Sequence, residues 1–130
     1  MKTILQKVTF NCNPHDVYEA IMDAKKHAKF SKSKVTITKR KGSRFTAYDG
    51  YIDGKNIELI ADKKIVQYWR GKDWPKGHYS KVTFSFKKTK GGTLLTFTQE
   101  SVPNKHYGHI KKGWVTHYWT PMKKMLERKQ

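Results

Sequence analysis

The sequence predicts an α+β protein, an antiparallel sheet covering one long C-terminal helix, and three observations point to it. From Arg44 to Glu100 the chain alternates apolar and polar residues, broken by short turn signals. After Val102-Pro103 the period lengthens to three and four through Tyr107, Ile110, Trp114, Tyr118, Met122 and Met125, the stripe of an amphipathic helix. Ahead of the meander, one strand is followed by two short helical segments. A sheet with one apolar face must cover it, and the C-terminal helix has the length and the stripe to do so.

The elements follow in order. Thr3 to Phe10 sets Ile4, Gln6, Val8 and Phe10 against Leu5, Lys7 and Thr9, which is a strand. Asn13-Pro14 starts a helix, with Asn13 as N-cap, Pro14 at the first position, Asp16 in the first turn and Val17, Ala20 and Ile21 as the buried stripe beside Tyr18. A second helix spans Ala24 to Phe30 and ends in the polar run Ser31 to Lys34. Strands are predicted at Val35–Thr38, Arg44–Tyr48, Lys55–Ile60, Lys64–Gly71, Tyr79–Lys88 and Thr93–Glu100, six or seven in the sheet. Turns are read at Lys41-Gly42-Ser43, Asp49-Gly50, Asp53-Gly54, Ala61-Asp62-Lys63 and Lys90-Gly91-Gly92. The last helix runs from Lys105 to Lys129, with Lys111, Lys112, Lys123, Lys124 and Arg128 on its polar face. Pro121 removes a backbone donor from it and predicts a bend near His117 to Pro121.

A length of 130 residues suits one domain over the whole chain, 1–130, with one core. No apolar run approaches the roughly 20 residues that span a bilayer, and the N-terminus does not read as a signal peptide. Cys12 is the only cysteine, so no intrachain disulfide forms, and the chain reads as cytoplasmic. The net charge of +18 attracts nucleic acid, anionic membrane or acidic protein. The basic residues are spread along the chain, with one local cluster of Lys39, Arg40, Lys41 and Arg44. No nucleic-acid motif accompanies them, so polyanion binding is expected to be weak, salt-dependent and indifferent to sequence.

Candidate chemistry is sparse. His106, His109 and His117 have helical spacing, but no Cys or carboxylate stands near them, so no metal is expected. Asp49, Asp53, Asp73 and His78 sit at turns or strand ends, where Asp and Gly suit the backbone, and His78 is expected to hydrogen-bond a neighbouring loop. No nucleophile or phosphate-binding motif occurs, so neither enzymatic activity nor a cofactor is expected. The aromatics are the strongest signal. Tyr48, Trp69, Phe84, Phe97, Trp114 and Tyr118, with the polar residues Gln67, Gln99 and His117, either fill a core or line a partly open cavity for a small apolar ligand. Trp74, in the Gly/Pro-punctuated stretch from Trp69 to Ser80, is either a partner-binding anchor or a lid folded onto the helix.

Several motifs recur together: Phe45-Thr46-Ala47-Tyr48-Asp49-Gly50-Tyr51-Ile52-Asp53-Gly54-Lys55-Asn56, Ile65-Val66-Gln67-Tyr68-Trp69-Arg70, Asp73-Trp74-Pro75-Lys76-Gly77-His78-Tyr79-Ser80, and Gly113-Trp114 with Tyr118-Trp119. In these the chain resembles the activator-of-heat-shock-ATPase-like branch of the START-like, helix-grip superfamily, from its first strand to its last helix. The resemblance implies a curved antiparallel sheet gripping the C-terminal helix, as in birch-pollen-allergen-like proteins, with a cavity between them in many relatives. It also implies a chaperone-associated role. The eukaryotic relatives stimulate the ATPase of the ninety-kilodalton heat-shock chaperone and carry a further N-terminal domain, which this chain is expected to lack. The expectation is a non-enzymatic domain, monomer or homodimer, that binds a small apolar ligand or serves a chaperone. The alternative is direct regulation of the chaperone ATPase, with Trp74, Lys39, Arg40, Lys41 and Arg44 at the contact.

Overall fold

The computed structural model describes residues 1–127. Six strands form one antiparallel sheet: β1 (Lys2–Phe10), β2 (Arg44–Ala47), β3 (Ile52–Ile60), β4 (Lys64–Gly71), β5 (Ser80–Thr89) and β6 (Gly92–Val102). Their order across the sheet is β1-β6-β5-β4-β3-β2. The chain leaves β1 at one edge, passes through helices α1 (Pro14–Met22) and α2 (Ala24–Ser31), and enters β2 at the other. It then meanders back, so that β6 returns beside β1.

The local signals act as expected at the first helices. The Asn13 side chain accepts the Asp16 N–H at 3.0 Å, and the Asp23 side chain caps α2 from the Lys26 N–H at 3.0 Å. Lys32 closes α2 in the left-handed conformation, at φ 54°. The concave face of the sheet carries Ile4, Phe10, Ile65, Trp69, Val82, Phe84, Leu95 and Phe97 against Ile110, Trp114, Tyr118, Trp119 and Met122 of the C-terminal helix, all buried. Each such side chain contributes about 1.5–3 kcal/mol by leaving water.

Three expectations are corrected. Val35 and Ile37 are buried as their alternation predicts, yet Val35–Thr38 forms no strand: Thr36 makes a single bridge to Thr46. The segment is diverted because the Thr38 carbonyl accepts from the Asn56 side chain at 3.0 Å rather than from a neighbouring strand. Asp53-Gly54 is not a turn; both residues lie inside β3, opposite Arg70 and Trp69 of β4. The hairpin closes at the predicted Asp49-Gly50 turn, a 3-10 turn at Tyr48–Gly50 where Tyr48, Asp49 and Gly50 all have positive φ. Gly54 serves close approach, since a Cβ there would collide with the Tyr68 carbonyl oxygen and lie 2.7 Å from the Phe45 ring. Gly54→Ala is therefore expected to destabilise by about 2–3 kcal/mol, the upper range of overpacking, read from urea unfolding.

The third correction concerns the C-terminal helix, which is α3 (Tyr107–Trp114), a π-helical turn (Val115–Trp119) and α4 (Thr120–Leu126). Where a bend is predicted, the helix carries this wide turn. Pro121 has no N–H to offer, and the His117 carbonyl one turn before it instead accepts the Tyr48 hydroxyl at 3.0 Å. At the other end the Val115 N–H bonds to the Lys112 carbonyl, and the Lys111 carbonyl accepts the Gln6 side chain at 3.0 Å. The helix irregularity is thus fixed from both edges of the sheet. The part of the predicted helix at Arg128 and Lys129 lies outside the described residues.

Candidate functional site

Between the β3–β4 side of the sheet and the C-terminal helix lies a cavity of about 420 Å³, open on one side. It is lined by Tyr48, Tyr51, Ile52, Trp69, His109, Ile110, Gly113, Trp114, His117 and Tyr118. The wall is mostly aromatic, and its polar side chains are three tyrosines and two histidines, with the Tyr118 hydroxyl buried against His27. The tight turn before β3 delivers two of the tyrosines, and the turn itself is pinned: the Asp49 carboxylate accepts the Lys34 N–H at 2.7 Å. Tyr51 donates to Asp73 at 2.6 Å. Burial first, then the Asp73 carboxylate, pushes the Tyr51 hydroxyl up to about 12, and burial pushes Tyr48 up to about 12. Both are neutral donors across the physiological range.

Five of the nine expected cavity residues line it: Tyr48, Trp69, Trp114, His117 and Tyr118. Phe84 and Phe97 do not. Their rings lie behind Trp114, with Phe97 and Trp114 centroids 4.3 Å apart, so the β5–β6 half of the space is filled core. Gln67 and Gln99 are buried in structural hydrogen bonds instead of facing the cavity. Gln67 donates to Asn56 at 3.0 Å. Gln99 is the middle of a chain: Trp114 Nε1 donates to Gln99 Oε1 at 2.7 Å, Gln99 Nε2 to Ser80 Oγ at 2.9 Å, and Ser80 Oγ to the Trp69 carbonyl at 2.8 Å. This chain sets the angle of the indole that forms the cavity floor. Gln99→Leu leaves the Trp114 N–H without its acceptor and is expected to cost about 1–3 kcal/mol, measurable by thermal unfolding with Trp fluorescence.

Trp74 takes the inward of the two placements considered for it, at 3% exposure. Its ring packs on Trp69 at 5.5 Å and stacks on His106 at 6.0 Å. Arg70 holds the loop by donating to the Trp74 carbonyl at 2.6 Å and the Pro75 carbonyl at 3.2 Å. Gly71 leaves room for it, since a Cβ there would lie 2.9 Å from Trp74 Nε1 and 2.8 Å from the Tyr51 hydroxyl. As an anchor for a partner, Trp74 is therefore withdrawn from the surface. His78 hydrogen-bonds the Ser101 carbonyl at 2.8 Å, a contact to strand β6 where one to a loop was expected. Among the described residues no group of three His, Cys, Asp or Glu side chains is arranged to hold a metal.

The basic cluster is presented on a rigid turn. Ser43 Oγ donates to the Arg40 carbonyl at 2.6 Å, and the Gly42 N–H to the Asn56 carbonyl at 2.7 Å, which leaves Arg40 and Lys41 exposed. Lys39 turns to Glu19 at 2.6 Å and Arg44 to Asp53 at 3.3 Å. Strand register continues the charge across the convex face, where Arg44 opposes Lys55, Lys55 opposes Tyr68, and Tyr68 opposes Lys81. Leu5 and Tyr68 are exposed on the same sheet, and Tyr79 is exposed just ahead of β5.

A residue the sequence reading passed over is His27, buried on α2. Its Nδ1 lies 2.9 Å from the Ile21 carbonyl and its Nε2 2.8 Å from the Tyr118 hydroxyl. A carbonyl only accepts, so Nδ1 carries the proton and neutral Nε2 accepts from Tyr118. Burial lowers the imidazole to about 4. The available signal was its place three residues before Phe30, on the apolar side of a short helix.

Fold and site define a helix-grip domain with a half-open aromatic cavity on one flank of the helix. The family described as Activator of Hsp90 ATPase homolog 1-like protein matches residues 11–127. This chain belongs to that family. An activator of 90 kDa heat shock protein ATPase homolog from Dictyostelium discoideum is 34% identical over 114 residues, 87% of this chain and 30% of the relative. The human activator homolog 1 is 28% identical over 92% of this chain and 36% of its own length. The chain thus spans about a third of the length of these curated relatives. A crystal structure from Plasmodium falciparum, described as an Hsp90 activator, superposes with a TM-score of 0.91 at 25% identity, covering 98% of this chain and 97% of that one. The Aha1 dimer from Colwellia psychrerythraea shares the fold, with a TM-score of 0.85 at 19% identity over 98% of both chains. No helix among the described residues is long and apolar enough to cross a membrane.

Proposed function

We propose that this chain is a non-catalytic, cytoplasmic binding module that regulates the ATPase of a ninety-kilodalton heat-shock chaperone. The observation that carries the proposal is a cationic surface on a rigid frame, Arg40, Lys41, Arg44, Lys55 and Lys81, in a member of a family whose relatives are named for that activity. The charges suit an acidic face of the chaperone, since complementary potentials steer encounter and fix which faces meet. Trp74 is left out of this contact; Lys39 borders it, tied to Glu19. Charge reversal of Arg40 and Lys41 together is expected to weaken the complex at least tenfold at low salt. Raising salt from 0.1 to 1 M shortens the Debye length from about 10 to about 3 Å and should erase most of the wild-type affinity. Calorimetric titration of the chaperone reads both; an affinity unmoved by salt or by the reversal removes this surface from the proposal.

The cavity favours a second reading, in which an apolar molecule occupies the space beneath Tyr48, Trp69 and Trp114. Native mass spectrometry of the purified chain, with thermal shifts across an apolar ligand library, tests it. A consistently empty protein with no shift excludes this reading. Binding to DNA or RNA is expected to be weak and without sequence preference near physiological salt, because the helix buries its aromatic stripe and its exposed lysines would contact phosphates, not base edges.

A further inference from the structure

At the opposite edge of the sheet from the aromatic cavity, β1 runs for nine residues and, among the described residues, pairs only with β6. The other edge strand, β2, is four residues long and is partly covered by the Thr36 bridge. Short or covered edges resist pairing with other chains, whereas a long uncovered one is a template for an added strand. β1 contains no proline, and no backbone partner stands on its outer side among the described residues.

Beside this edge lies a groove of about 360 Å³, lined by Gln6, Lys7 and Val8 of β1 and by Val115, Trp119, Thr120 and Lys123 of the helix. Three consecutive residues of β1 line it, so the strand's own backbone forms one wall. Val115 gives it an apolar spot and is 46% exposed. Gln6 braces the wall by accepting from Trp119 Nε1 at 2.7 Å and donating to the Lys111 carbonyl at 3.0 Å. Neither Lys7 nor Lys123 has a carboxylate within ion-pair distance among the described residues.

We propose that the groove between β1 and the π-helical turn receives an extended acidic peptide segment, which adds to the sheet as a seventh strand. Its backbone would complete the β1 edge. One of its apolar side chains would cover Val115 on the helix side, and its carboxylates, on the opposite face of the added strand, would meet Lys7. Charge selects this occupant over a second copy of the chain. A second copy would bring its own Lys2 and Lys7 to the same edge, and each chain carries a net charge of +18. The inference is independent of the chaperone reading, since it concerns the other edge of the sheet.

The probe is a fluorescein-labelled peptide of alternating Glu and Val, with a second peptide of equal charge in which proline replaces alternate Val residues. Anisotropy should show saturable binding of the first and at least tenfold weaker binding of the second, because proline cannot donate to a ladder. Lys7→Glu should weaken the first peptide at least tenfold, Lys123→Glu on the valine side much less, and Val115→Ser, an exposed change, about threefold. Hydrogen exchange should slow at amides of β1 and not at β2. Equal affinity for both peptides, or no binding, or protection elsewhere, overturns the proposal. So does sedimentation showing a homodimer that Lys7→Glu disrupts, which would give the edge to a second copy.

Discussion

Trp114→Ala is expected to cost about 3–5 kcal/mol of folding stability, the range for removing a fully packed large aromatic. Trp114 is where every layer of the structure meets. Its ring lies within 4.3–6.0 Å of the rings of Trp69, Phe84, Phe97, Tyr118 and Trp119. Its indole N–H is the first donor of the Gln99–Ser80 chain. Removing it joins the open cavity to the packed β5–β6 half and leaves Gln99 Oε1 without its donor. Trp114→Phe keeps most of the apolar area and loses the hydrogen bond, so it should cost roughly half as much. Urea unfolding followed by far-UV circular dichroism measures both. A loss below about 1 kcal/mol for the alanine variant would mean that the helix is not gripped through this residue.

The second large effect is acid lability through His27. The group is neutral and buried in the fold, with its value lowered from 6.5 to about 4. The unfolded chain therefore binds a proton that the folded chain refuses between those two values, and stability must fall as pH falls through that window. The contribution is present in full above about 6.5 and amounts to on the order of 3 kcal/mol by pH 4, at 1.36 kcal/mol per unit. Tyr118, which faces the imidazole, is raised by burial and then by Tyr48, so it stays neutral throughout the window. Asp23, held low by its bond from the Lys26 N–H, titrates below it. His27→Gln keeps a side-chain donor and acceptor but cannot titrate. Its stability between pH 7 and 4 should decline less steeply than that of wild type. Parallel pH profiles for the two proteins would show that His27 carries none of the acid sensitivity.

Local chemistry made much of this architecture legible. The Asn13 cap, the alternation of Val82, Phe84 and Phe86, and the helical stripe from Ile110 to Met122 each depend on nearest neighbours, and each lies where the pattern puts it. What was hidden depended on partners distant in sequence. Asp53-Gly54 reads as a turn in isolation, but Gly54 is there because Phe45 and the Tyr68 carbonyl press on it from either side. Pro121 predicted a bend, but the π turn found there is set by Tyr48 and Gln6. The cavity was legible in its aromatic half only. Periodicity places Phe84 and Phe97 on the same face as Trp69 without saying that Trp114 would stand between them and the opening. Tyr51, His109, Ile110 and Gly113 joined the lining because the turn at Tyr48–Gly50 swings toward α3, a contact no spacing encodes. Whether Trp74 pointed in or out rested on Arg70 clamping its carbonyl, again a tertiary matter.

The most direct measurement of the central claim is ATP turnover by a ninety-kilodalton heat-shock chaperone with increasing amounts of this chain at low salt. The cationic-surface account predicts a saturable change in turnover that is lost at high salt and lost with Arg40 and Lys41 both reversed to Glu, the variant remaining as stable as wild type. Turnover that stays constant across the titration, with no complex detected under the same conditions, would contradict it.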